Sequence, residues 1–274
     1  MSLGIVVKGS EGIVLAADSR VTLTAILTAP PGAPPGVQIQ LPVNFDNATK
    51  LLTFAEPHNW IGAVTFGDAV IGTTTGDLRT AQSFVPEFEV GLPTTRLTVG
   101  DFSQRLSDFF SGQWSARMPT THGGPGMTFV VGGFDADKPY GSVYLFTVPG
   151  APTPIEQSPG DFGVTFGGQS ETTGRILQGY DARVLQIARD VLHLPIVQID
   201  ALQRALQQLQ LTIPYHLLPL QDCIDLAIFL IRTTTTAQNL SIGIRGVGGA
   251  IDVAVITKRE GLNIIQRKEL TGEK

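Results

Sequence analysis

Apolar residues along this chain fall into two regimes, continuous short runs and helically spaced stripes. Residues 3–8 and 12–18 (LGIVVK, GIVLAAD) are apolar at nearly every position and rich in β-branched side chains. Gly9-Ser10-Glu11-Gly12 between them is a hairpin turn. A strand with one wet face would alternate, so these runs predict strands covered on both faces by other layers. Further strands are expected at 50–55, 60–66, 127–134, 141–147, 162–166, 241–245, 250–257 and 262–266.

Helical spacing is clearest over 98–117, where Phe102, Leu106, Phe109 and Phe110 repeat on one side, Thr98 is a capping residue and Asp101 suits the first turn. Helices are also expected over 171–191, 200–211 and 219–234, while 68–82 is too rich in Thr and Gly to be more than a mediocre one. The order is strands, helices, strands, helices, strands. Blocks of that kind predict sheets packed together under outer helical layers, an α+β architecture, rather than a regular βαβ wind. A Pro/Gly-rich insertion spans about 24–46, and its centre at 28–37 (TAPPGAPPGV) reads as a surface loop or lid. With no independent linker, residues 1–274 read as a single domain.

Composition narrows the function. A net charge of −5 argues against nucleic acid, because phosphate contacts need a basic surface. No apolar run reaches the roughly 18 residues of a membrane span. The N-terminus lacks a basic region and cleavage motif, so a cytoplasmic protein without a signal peptide is expected. Mean hydropathy is slightly positive, +0.17, which points to apolar surface buried between subunits. The single Cys223 sits in an apolar helix and reads as a buried structural thiol. His58, His122, His193 and His216 are scattered without metal spacing, and Asp135 and Asp137 read as a turn. No cofactor or metal is expected.

Four segments together resemble proteasome β subunits, members of the N-terminal-nucleophile hydrolase superfamily. They are GIVLAADSRVT after the first strand, FVVGGFDADKPYGSVYLFTVPG in the middle, PLQDCIDLAIFLIRTTTTAQ, and GGAIDVAVITKREG near the end. They occur in the family order and span nearly the whole chain, as in a divergent bacterial or archaeal homologue. The resemblance implies a four-layer αββα sandwich and a nucleophile at the first residue of the mature chain. Counted back from GIVLAADSR, Ser2 falls on the family's threonine and Asp18 on its acidic residue; counted through the Pro/Gly-rich insertion, NATKLLTF puts Lys50 on its lysine.

On that reading the α-amine of Ser2, freed by removal of Met1, accepts the hydroxyl proton and returns it to the leaving amine. Lys50 supplies positive charge beside the developing alkoxide, and Asp18 orients the lysine. The resemblance places the oxyanion donor at a backbone N–H near Val64, with Ala48, Leu52, Gly62 and Phe66 lining an apolar substrate pocket. Gly168 and Ser170 stand where the family has a serine that supports the amine. Ile244 and Val247 replace a further aspartate and serine, and apolar groups cannot orient an ammonium. Three functions stay open: a ring-forming homo-oligomeric peptidase acting on peptides or unfolded proteins, an acyl-transfer enzyme such as a peptide ligase or amidase, and a non-catalytic assembly subunit.

Overall fold

The first two apolar runs pair as a hairpin. In the computed structural model, which describes residues 2–28, 38–73, 76–269 and 272, β1 (Leu3–Lys8) and β2 (Ile13–Asp18) are antiparallel and buried throughout. Strand alternation sorts their side chains onto two faces. Leu3, Ile5 and Val7 join Val14 and Ala16 on one side, while Val6 joins Ile13, Leu15 and Ala17 on the other. Each face therefore needs its own covering layer.

The chain continues through β3 (Val21–Thr28), β4 (Gln38–Phe45), β5 (Leu51–Thr53), β6 (Ile61–Gly67), β7 (Val70–Ile71) and β8 (Arg79–Thr80). Two helices follow, α1 (Ala81–Val90) and α2 (Val99–Arg117), then β9 (Met127–Gly133), β10 (Ser142–Val148), β11 (Ala151–Glu156) and β12 (Gly163–Gly168). The last part comprises α3 (Glu171–Gln178), α4 (Arg183–Asp190), α5 (Ile196–Gln207), α6 (Leu220–Leu240), β13 (Ile251–Thr257) and β14 (Gly261–Gln266).

Two five-stranded sheets result, ordered β12-β1-β2-β13-β14 and β11-β10-β9-β6-β5. Leu15, Val64, Val130 and Ile256 fill the space between them. On the first sheet, Cys223, Ala227, Leu230 and Ile231 of α6 pack against Ile5 and Val253. On the second, α1 and α2 present Phe84, Phe88, Phe102 and Phe110 to Phe129 and Phe146, each such ring contributing about 1.5–3 kcal/mol by leaving water. Thr98 caps α2 as expected, accepting from the Asp101 N–H at 3.1 Å. Helix, sheet, sheet, helix: the expected αββα sandwich is formed.

Several elements differ from the sequence reading. Residues 171–191 make two helices, because Gly179 adopts φ +78° and any Cβ there would strike the Leu209 carbonyl. The helix near 200 starts earlier, after Pro195. Within 68–82 only the short β7 and β8 form, and α1 follows despite Pro86, held by Ala81, Phe84, Val85 and Phe88 on its buried side. Residues 241–245 form no strand; Ile242 and Ile244 face solvent. Edge strand β11 carries two prolines, which an edge tolerates. The flanks of the Pro/Gly-rich insertion form a two-stranded ribbon, with Val21 opposite Phe45 and Thr28 opposite Gln38. The centre of the expected loop, 29–37, lies outside the described residues.

Candidate active site

Ser2 precedes β1 and is buried against the end of β12. Its carbonyl accepts the Gln169 N–H at 2.7 Å, and Leu3 pairs with Gly168. Gly168 has φ +96°, and a Cβ there would collide with the Ser2 carbonyl. Only glycine lets the β12 end close on Ser2 in this way.

Asp18, at the end of β2, is buried and accepts four hydrogen bonds. Leu3 N–H (2.9 Å) and Lys50 Nζ (2.7 Å) donate to Oδ1, and Gly248 N–H (3.0 Å) and Arg20 N–H (3.1 Å) to Oδ2. One carboxylate thus ties the start of β1, the turn before β13 and the lysine together. Lys50 Nζ also donates to the Arg20 carbonyl. Burial pushes the Lys50 ammonium below the usual lysine range, against the upward pull of Asp18.

Ser2 and Lys50 line one narrow cleft with Ala48, Thr65, Phe66 and Asp68. Its free volume is about 10 Å³, room for roughly one water. The structure therefore brings Ser2, Asp18 and Lys50 together, with Ala48 and Phe66 at the same cleft. The rest of the expected pocket lies elsewhere in the fold. Gly62, Val64 and Phe66 share one face of β6 by alternation, and that face looks into the space between the sheets. A Cβ on Gly62 would meet Leu262 and Leu15, and Val64 packs in that core, so only Phe66 at the strand's end reaches the cleft. Leu52 points the other way, into the core under α1 and α2.

The Val64 N–H, expected as the oxyanion donor, is directed along the sheet. The neighbouring Thr65 N–H donates to the Lys50 carbonyl at 2.9 Å, which turns the Val64 N–H toward β9, where Val64 faces Val130. Ser170 begins α3 and lines a different cleft with Arg175 and Arg183. Val247 is buried, with its N–H donating to Gln238 Oε1 at 2.9 Å, and Ile244 is exposed.

Two arrangements escaped the sequence reading. Gln238 Nε2 donates to Gln169 Oε1 at 2.8 Å, so the two amides brace the residue that holds the Ser2 carbonyl against the turn that holds Asp18. The second is a pairing of His122 with Asp68, whose carboxyl lines the cleft. His122 Nε2 lies 2.7 Å from Asp68 Oδ2, at an angle that makes it a close polar contact rather than an aligned hydrogen bond. Burial raises the Asp68 carboxyl above the usual carboxylate range, opposed by His122. No local spacing could have revealed either, since both depend on chain crossings made by the fold.

No family model and no curated protein matches the sequence. Among 343 matching chains of solved structures is a Gly-1 mutant of Anbu from Hyphomicrobium sp. strain MC1. It is similar at a TM-score of 0.55 and 13% identity, over 98% of this chain and 86% of that one. The shared feature is the fold, that of the N-terminal-nucleophile hydrolases. The resemblance to proteasome β subunits is corrected accordingly. With no family match and a likeness of 13% identity, the comparison carries the fold alone and assigns the chain to no family. Among the described residues, no helix is long and apolar enough to cross a membrane.

Proposed function

We propose that this protein is an amide-bond hydrolase acting on peptides in the cytoplasm, with Ser2 as nucleophile once Met1 is removed. The observation that carries this reading is the buried cluster at one cleft: Ser2 beside Lys50, whose amine is bonded to Asp18. Ser2 Oγ attacks the carbonyl carbon as its proton passes to the α-amine. The tetrahedral oxyanion forms near the Lys50 charge, and the proton then leaves with the departing amine as the C–N bond breaks. Water releases the acyl group by the same steps in reverse. Hydrolysis of a panel of fluorogenic peptides tests this: the parent chain turns substrate over and Ser2→Ala does not. Equal turnover by Ser2→Ala would refute it.

Assembly with further copies of the chain belongs to the same reading. Val191, Leu192, Ile196 and Val197, at the end of α4 and start of α5, are each more than 60% exposed, a clustering of large apolar side chains that favours an interface. Solution mass by light scattering checks this; a strict monomer would contradict it. One observation favours a second reading, that of a non-catalytic assembly subunit: the cleft at Ser2 is narrow, with a free volume of about 10 Å³. Absence of turnover on every peptide, together with an oligomer in solution, would decide for it.

A further inference from the structure

Ser2 chemistry leaves one need unmet. The α-ammonium formed during attack has to be held, and Ile244 and Val247 offer no side-chain acceptor for it. Asp18 is not free to do this, since all four of its bonds go to Leu3, Arg20, Gly248 and Lys50. The carboxylate that lines the cleft itself is Asp68.

Asp68 is fixed from behind. Its backbone N–H donates to the Gly126 carbonyl at 2.9 Å, which joins the end of β6 to the segment before β9. That junction is tight, because Gly67 has φ +90° and a Cβ there would strike the Gly126 carbonyl. The same segment delivers His122 to Oδ2, and the edge of Trp114 holds the imidazole, with ring centroids 5.4 Å apart at 79°. Among the described residues, the other charged groups around the cleft are committed elsewhere. Lys50 is bonded to Asp18 and the Arg20 carbonyl, and Arg79, beside the cleft-lining Thr80, reaches away to Glu87 at 2.7 Å. A carboxylate with one partner behind it thus shares a cleft of one-water size with Ser2.

We infer that Asp68, oriented by His122, is the positioning residue that holds the Ser2 α-amine, directly or through one water. This rests on the proposed Ser2 reaction. The proton taken from Ser2 Oγ is stabilised on the amine by the Asp68 carboxylate, then passes to the leaving nitrogen as the C–N bond breaks. No electron transfer or co-reactant is involved. The site is a substitute built at the end of β6 and from the α2–β9 connection.

The test reads the amine itself and needs no turnover. The full chain is released from an N-terminal fusion so that Ser2 is its first residue. The α-amine pKa is then measured from the pH dependence of trace labelling by acetic anhydride, scored on the N-terminal peptide by mass spectrometry. Asp68→Asn, isosteric and with its backbone bond retained, is expected to lower that pKa by about one unit or more, the usual effect of removing a close opposite charge. Asp68→Glu is expected to restore most of it, and the exposed Asp225→Asn to leave it unmoved. Asp68→Ser replaces the asparagine variant if the latter does not fold. An amine pKa unchanged between parent and Asp68→Asn overturns the assignment. An amine shift in a chain that hydrolyses no peptide would sink the proposed reaction while leaving the Asp68 contact standing.

Discussion

Asp18 and Lys50 form one ion pair, yet their removal should not cost the same. Asp18→Ala strands three backbone N–H groups, those of Leu3, Arg20 and Gly248, together with the buried Lys50 amine. A stranded N–H costs about 1 kcal/mol or more, and an orphaned member of a buried pair about 3–5 kcal/mol. Lys50 softens its share by releasing its proton, since burial already depresses its pKa. The total is on the order of 5 kcal/mol, a large part of the ~5–15 kcal/mol that keeps a domain folded. Lys50→Met leaves the carboxylate with its three backbone donors, so it falls near the lower end, about 3 kcal/mol. Urea unfolding of both variants, compared at unchanged m, measures the difference. A Lys50→Met variant less stable than Asp18→Ala, or an Asp18→Ala within about 1 kcal/mol of the parent, would refute the view that Asp18 organises the site.

The Phe66 ring is sandwiched between two glycines: a Cβ on Gly4 would come within 2.8 Å of its Cδ1, and one on Gly167 would collide with it. Gly167→Ala should therefore cost about 1–3 kcal/mol by overpacking and noticeably less in a Phe66→Leu background; strictly additive losses in chemical denaturation would contradict this. Burial pushes the Tyr215 phenol up to about 12 from 10.0. A raised pKa contributes stability that is complete below about pH 10 and lost as pH rises toward about 12. Tyr215→Phe should flatten that alkaline loss in a pH series of thermal midpoints, and an unaltered limb would show that the phenol is not buried as described.

The layered fold was legible because both-face burial leaves a strong mark. Runs such as those at Leu3–Lys8 and Ile13–Asp18 have no wet side and so announce layers above and below. Where local chemistry and tertiary packing disagree, the sequence misleads. Pro86 argues against a helix that four buried side chains nonetheless hold, and the prolines of Ala151–Glu156 disguise an edge strand. The ribbon of β3 and β4 was hidden by the Pro/Gly-rich stretch it flanks, although Leu41, Val43 and Phe45 alternate along it. Ser2, Asp18 and Lys50 were expected from register along the chain, and the fold places Ser2 and Lys50 on one cleft with Lys50 bonded to Asp18. Gly62, Val64 and Leu52 of the expected pocket lie away from the cleft because a strand turns alternate side chains into opposite cores. Asp68 and His122 meet only through the Gly67–Gly126 crossing, which no periodicity encodes.

The most direct test of Ser2 as nucleophile is the intact mass of the purified chain before and after exposure to a β-lactone. Loss of Met1 and a single covalent adduct on Ser2, absent from Ser2→Ala, is the predicted result. A chain that keeps Met1 and gains no adduct would contradict it.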